Sequence, residues 1–225
     1  MIRAIVFDFD GVIANSEPLH FRAYRDVLVE RGITLTEAAY YDLYLGYDDV
    51  GAFHAIAKDS GQTFSERDIE ELVASKAHRL EELERSGSVL FPGAREAMTR
   101  LAAAWPVAIA SGALKAEILR VLDHEGLRAL IPIVVSAEDT EASKPDPAPY
   151  LRAVALLGAE VPALAASECV AIEDSRWGLV SARTAGLRTI GITHTYPAAE
   201  IASDADLVVE HLDELTIDRI SSLSR

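Results

Sequence analysis

Apolar, β-branched runs recur along the chain at residues 2–8 (IRAIVFD), 106–111 (PVAIAS), 131–136 (IPIVVS), 169–174 (CVAIED), 187–192 (LRTIGI) and 205–210 (ADLVVE). They lack the alternation of a half-exposed strand, which predicts strands buried on both faces. Helix-type segments fill most of the gaps, at 93–105, 114–126, 147–159 and 175–186, each ending near a Gly or a Trp-Pro stop. Strand and helix in alternation predict an α/β fold: an open parallel sheet with helices on both faces.

The alternation breaks once. From about residue 16 to 85, LHFRAYRDVLVERG, TEAAYYDLYLG, DDVGAFHAIAKDSG and SERDIEELVASKAHRLEELERSG read as amphipathic helices with no strand among them. The expected organisation is an α/β core from residues 1–15 and 86–225, with 16–85 inserted as a helical domain. No internal repeat or low-complexity tract competes with this division.

At 225 residues, half of them hydrophobic, the chain can bury one large core with a smaller one attached. Met1 leads directly into a strand-type run, and no apolar span of membrane length occurs, so a soluble, unprocessed chain is expected. A formal net charge of −15 opposes encounter with nucleic acid or an anionic membrane. A small anionic ligand would need a locally positive pocket. The single cysteine, Cys169, has no internal partner and is expected as a core residue, which suits a reducing cytoplasm.

Chemistry gathers at the predicted strand ends, where open α/β sheets place their ligands. Asp8 and Asp10 close the first strand, and Gly11 permits a tight turn that points backbone N–H groups at an anion. Glu173 and Asp174 close the fourth. Ser111, followed by Gly112, closes the second, where a hydroxyl and helix-start N–H groups suit phosphate oxygens. Lys144 lies in SKPDP, pinned by Pro145 and Pro147, and can act as a point cation for phosphate. Each has a plainer reading: the acids and Ser111 as helix caps, Lys144 as a surface charge. If the acidic strand ends are neighbours, their carboxylates repel unless a cation sits among them, and oxygen-only ligands favour Mg²⁺.

In this order the motifs Asp8-Phe9-Asp10-Gly11, Ser111, Lys144 and Glu173-Asp174 resemble those of the haloacid dehalogenase-like superfamily. The tail EDSRWGLVSARTAGLRTIGI is similar to the subgroup of β-phosphoglucomutase and phosphoglycolate phosphatase-like enzymes. The resemblance implies a core of strand order 5-4-1-2-3 and a helical cap at 16–85. It implies that Asp8 is the nucleophile, forming an aspartyl phosphate, and that Asp10 is the general acid and base. It further implies Mg²⁺ held by Asp8, the Asp10 carbonyl and Asp174, with Glu173 behind the metal and Ser111, Gly112 and Lys144 on the phosphoryl group.

The resemblance leaves the phosphoryl acceptor to be decided. Sugar mutases of the subgroup carry a Lys just before a cap Gly and an Arg three residues after it. Around Gly46 those positions are Leu45 and Asp49, and Asp48 adds a second carboxylate that would repel a second phosphate. Lys76 is a candidate cap cation, and His20 matches a position that helps couple cap closure to Asp10. The expected activity is Mg²⁺-dependent hydrolysis of a small phosphorylated metabolite, a sugar phosphate or phosphoglycolate. A sugar phosphomutase is the alternative, and an inactive metal-binding regulatory protein the third reading. An active monomer needs no special explanation. Trp177 is expected to pack in the core, and the acidic helix after Ser65 to present a solvated face.

Overall fold

The computed structural model describes residues 1–45 and 47–224; Gly46, expected to contact substrate, lies outside the described residues. The chain divides into two compact units, Met1–Asn15 with Val89–Arg225, and Ser16–Ser88.

The first unit opens with β1 (Ala4–Phe7). The chain then enters the second unit, built from α1 (Glu17–Val29), α2 (Glu37–Ala39), α3 (Asp49–Asp59) and α4 (Glu66–Arg85). Helix α4 starts at a capping box in which Ser65 and Asp68 satisfy each other's backbone N–H. The helix expected over TEAAYYDLYLG is interrupted: α2 runs into a π-helical turn, Tyr40–Tyr44, closed by Leu45 N–H to the Tyr40 carbonyl at 3.1 Å. The wider turn buries Tyr40 and Tyr44. Tyr40 packs its ring against Phe21 and Tyr24, with centroids 5.7 and 5.6 Å away, while the Tyr44 hydroxyl donates to Asp59 at 2.9 Å.

The first unit resumes with α5 (Ala94–Ala102), β2 (Val107–Ala110), α6 (Lys115–His124), β3 (Ile133–Val135), α7 (Ala148–Leu157), β4 (Cys169–Glu173), α8 (Arg176–Thr184), β5 (Arg188–Ile192), α9 (Ala198–Ile201), β6 (Leu207–Val209) and α10 (Ile217–Ser221). Among the described residues the strands form one parallel sheet, β3-β2-β1-β4-β5-β6. The expected order 5-4-1-2-3 covers the first five strands, counted from the other side. It omits β6, which extends the sheet beyond β5.

One sheet face presents Ala4, Val6, Ala108, Ala110, Val135, Cys169 and Ala171 to Tyr150, Ala153 and Leu157 of α7 and to Ala182 of α8. Alanines on both layers let helix and sheet approach closely. Alternation sends Ile5, Phe7, Ile109, Val170 and Ile172 to the opposite face, and all are fully buried. Cys169 is in the core as expected, whereas Trp177 is 60% exposed. It falls on the solvent side of α8, whose buried face is supplied by Gly178, Leu179, Ser181 and Ala182.

Candidate active site

Register brings the strand ends together. Phe7 pairs with Ile109 on β2 and with Ile172 on β4, so Asp8 stands level with Ala110 on one side and Glu173 on the other. The Asp8 N–H donates to the Ile172 carbonyl at 2.9 Å, holding the residue in the ladder to its last bond. Ser111, one residue past β2, is tied by its N–H to the Val135 carbonyl at 2.9 Å. Its Oγ accepts the Ala113 N–H at 3.0 Å, and the N-cap position of α6 is Leu114, so Ser111 shapes the loop and does not cap the helix. A methyl placed on Gly112 would meet no described atom within 4 Å, so this loop is open on that side.

Lys144 reaches this edge from the loop before α7. That loop is fastened where the buried Ser181 hydroxyl of α8 donates to the Asp146 carbonyl at 2.6 Å, and where Asp146 Oδ1 accepts the Ala148 N–H at 2.9 Å. The Lys144 Nζ lies 2.7 Å from Asp8 Oδ1 and 2.6 Å from Glu173 Oε1. Its side chain is only 13% exposed, so it is a largely enclosed, double-bridged cation and not a surface charge.

Glu173 is fully buried and its oxygens are engaged: Oε1 accepts from Lys144 and, at 2.8 Å, from the Tyr150 hydroxyl, while Oε2 faces the Ser175 hydroxyl at 3.2 Å. Asp174 accepts a hydrogen bond from the Thr195 hydroxyl. Asp8, Glu173 and Asp174 each offer a carboxylate oxygen within 4.8 Å of the others. Asp10, half-buried, does not belong to that cluster; its expected part in a metal site is through its carbonyl. It lies in the turn where the Gly11 N–H donates to the Ala14 carbonyl at 2.9 Å.

Three buried carboxylates share one lysine, and the electrostatics follow. Burial, then the Glu173 charge, pushes the Asp8 carboxyl well above its ordinary range, with Lys144 only partly opposing. The same two causes push Asp174 up to about 7 against the Thr195 bond and Lys144. Burial works against the Lys144 charge, but Asp8 and Glu173 outweigh it and hold its pKa above the usual lysine value. A hard divalent cation with an all-oxygen shell fits this donor set, because it replaces the missing positive charge. Both Glu173 oxygens are already hydrogen-bonded within the protein.

The motif's Gly11 makes room for the cluster, and Gly178, His194, Thr195 and Tyr150, which lie outside the motifs, serve it as well. Gly11 has φ +76°, and a Cβ there would lie 2.0 Å from Asp174 Oδ2; a Cβ on Gly178 would lie 1.8 Å from Glu173 Oε1. His194 donates from Nδ1 to the Gly11 carbonyl at 2.9 Å and stacks on Phe91 at 3.9 Å. Burial lowers its pKa against the bond to the Gly11 carbonyl. Thr195 and Tyr150 complete the set. A Tyr on the sheet-facing side of a helix needs an acceptor for its hydroxyl, and that was the one readable hint.

In the helical unit, the Lys76 side chain is only 3% exposed, and its Nζ lies 2.7 Å from Asp49 Oδ1 and 3.1 Å from His20 Nδ1. The Tyr24 hydroxyl donates to the same Asp49 oxygen at 2.6 Å. Asp48 caps α3, accepting the Gly51 N–H at 2.7 Å.

The sequence profile described as haloacid dehalogenase-like hydrolase matches residues 2–186. Protein CbbY of Rhodobacter capsulatus is 29% identical over 99% of both chains. Hexitol phosphatase B of Escherichia coli K12 is 32% identical over 96% of this chain and 95% of its own. The crystal structure of β-phosphoglucomutase from Clostridium difficile superposes with a TM-score of 0.76, covering 100% of this chain and 97% of that one at 20% identity, a likeness of fold alone.

Proposed function

The chain belongs to the haloacid dehalogenase-like hydrolases, and from that premise we propose that it is a Mg²⁺-dependent phosphatase acting on a small phosphorylated metabolite of the sugar-phosphate or phosphoglycolate type. The observation that carries the reading is the buried cluster of Asp8, Glu173 and Asp174, bridged by Lys144, at the carboxyl edge of the sheet.

In this reading the Asp8 carboxylate attacks phosphorus in line. An Asp8 oxygen–phosphorus bond forms, the ester oxygen leaves, and Asp10 gives that oxygen a proton. Asp10 then takes a proton from water as the water oxygen bonds to phosphorus; the Asp8 oxygen–phosphorus bond breaks, inorganic phosphate leaves, and Asp8 returns to a carboxylate with Asp10 protonated again. Ser111, the open backbone at Gly112 and Lys144 hold the phosphoryl oxygens, and the Glu173 bridge keeps Lys144 in place. Asp8, the Asp10 carbonyl and Asp174 would hold Mg²⁺, which when bound would supply the charge that lets an anionic nucleophile meet an anionic substrate.

The helical unit is, in the same proposal, the substrate-selecting cap, with His20, Gly46 and Lys76 as its contributing positions. Lys76 already has a counter-ion in Asp49, which weakens it as a grip for a second phosphate and favours water over a sugar as acceptor. The buried thiol of Cys169 suits a reducing cytoplasm, and a monomer suffices because one chain supplies every acting group. A panel of phosphorylated metabolites with Mg²⁺ tests this: the wild type is expected to release phosphate from a sugar phosphate or phosphoglycolate, and Asp8→Asn from none. Isomerisation of a hexose 1-phosphate without net phosphate release would establish the mutase instead. Mg²⁺ binding with no turnover of either kind would establish the inactive regulatory protein.

A further inference from the structure

Where α8 begins and the chain leaves β5 lies a cleft of about 300 Å³ that the phosphoryl chemistry does not use. It is lined by Arg176, Trp177, Tyr196, Glu200 and Ile201. Trp177 is 60% exposed and Tyr196 37% exposed, in a molecule that fully buries many smaller apolar side chains. Exposed aromatics lining one concave surface are an arrangement that binding sites favour.

The cleft grows from the same two connections that build the site. Trp177 comes three residues after Asp174, on the first turn of α8. Tyr196 directly follows Thr195, whose hydroxyl holds Asp174. Adjacent Cα atoms are ~3.8 Å apart, so the rim of the cleft begins within a few residues' reach of the metal-binding carboxylate. From the cluster, a bound substrate could extend its leaving group along this rim.

The lining selects the chemistry of that group. Two ring faces offer apolar platforms, and Arg176 and Glu200 supply donors and acceptors. Arg176 Nε is already paired with Asp204 Oδ2 at 3.1 Å, and Glu200 adds a negative charge, so the cleft is poorly suited to a second phosphate. It suits an uncharged, polyhydroxylated ring, with C–H faces for the aromatics and hydroxyls for the polar rim. Building on the phosphatase reading, we infer that the Trp177–Tyr196 cleft is the subsite for the sugar ring of a monophosphorylated carbohydrate.

Two measurements test this. In steady-state assays, Trp177→Ala and Tyr196→Ala are expected to lower kcat/KM for glucose 6-phosphate about tenfold, or ~1.4 kcal/mol, mainly through KM. Both should leave phosphoglycolate, which has no ring, within about twofold. Trp177→Phe is expected to restore most of the loss. Equal losses on both substrates would show a structural role only, no loss on either would leave the cleft without a part in binding, and a selective loss for AMP would assign it to a nucleobase; each overturns the inference.

The second measurement does not depend on turnover. In Trp105→Phe/Asp8→Asn protein with Mg²⁺, Trp177 is the sole tryptophan. Its emission is expected to shift saturably with glucose 6-phosphate and not with phosphoglycolate. A shift without wild-type phosphatase activity would keep the sugar subsite and remove the phosphatase reading. Turnover without a shift or a selective KM effect would do the reverse.

Discussion

A single methyl group at Gly178 sets two opposing effects against each other. Gly178 lies in the first turn of α8, where replacing Gly by Ala ordinarily stabilises a helix by about 1 kcal/mol. Here the new Cβ would stand 1.8 Å from Glu173 Oε1, 1.9 Å from its Cδ and 2.1 Å from Oε2. Glu173 cannot shift slightly to make room, because Lys144 at 2.6 Å, Tyr150 at 2.8 Å and the Ser175 hydroxyl at 3.2 Å hold it from the other sides. The carboxylate must leave, and a broken buried ion pair costs about 3–5 kcal/mol. Gly178→Ala is therefore expected to lose ~2–4 kcal/mol net. It should also lose most phosphatase activity, since Lys144 is freed from its second anchor. Urea unfolding followed by circular dichroism, with linear extrapolation, measures the first effect, and phosphate release the second. Gly87→Ala, where a Cβ meets no described atom within 4 Å, is the control and should stay within about 0.5 kcal/mol. If Gly178→Ala proved as stable as the wild type, or gained the ~1 kcal/mol of helix propensity, the seat assigned to Glu173 would be wrong.

Three further outcomes are expected. Without divalent cations, the stability contributed by the raised Asp174 pKa is fully present below about pH 4, where the unfolded carboxyl is also protonated, and is lost as pH rises towards 7. Unfolding at stepped pH should thus show Asp174→Asn gaining on the wild type from about pH 4 to about pH 7 in EDTA. Added Mg²⁺ should reverse the ranking at pH 7, and parallel profiles would refute the coupling. Thr195→Val is expected to weaken Mg²⁺ activation by roughly 10–100-fold while Thr195→Ser retains it, as read from Mg²⁺ titrations of activity. In the helical unit, Asp49→Asn leaves the buried Lys76 charge without its counter-ion and should cost about 1–3 kcal/mol in urea unfolding. The double variant Asp49→Leu/Lys76→Met should recover most of that loss.

The sequence by itself determined the kind of protein this is. Strand runs, helix periodicity and the break after residue 15 are local properties of the chain, and strand ends identify themselves wherever an apolar run meets an acid, a Ser or a Gly. Asp8, Ser111, Glu173 and Asp174 were legible for that reason, and Lys144 stood out between its prolines. Strand adjacency was not local information. The parallel register that sets Asp8 level with Glu173, and the addition of β6 beyond β5, depend on how the layers pack.

Only the tertiary structure decided which groups serve the motif residues. Tyr150, Thr195 and His194 lie far along the chain from the groups they hold, and a lone hydroxyl or imidazole carries no sign of its partner. Gly178 matters because a side chain five residues earlier folds back against it. Trp177 shows the limit most plainly: hydrophobicity placed it in the core, but α8 already had Leu179 and Ala182 for that face, and the indole was left facing solvent. A chain encodes which residues prefer burial, but packing decides which of them obtain it, because the area of a sheet face is finite.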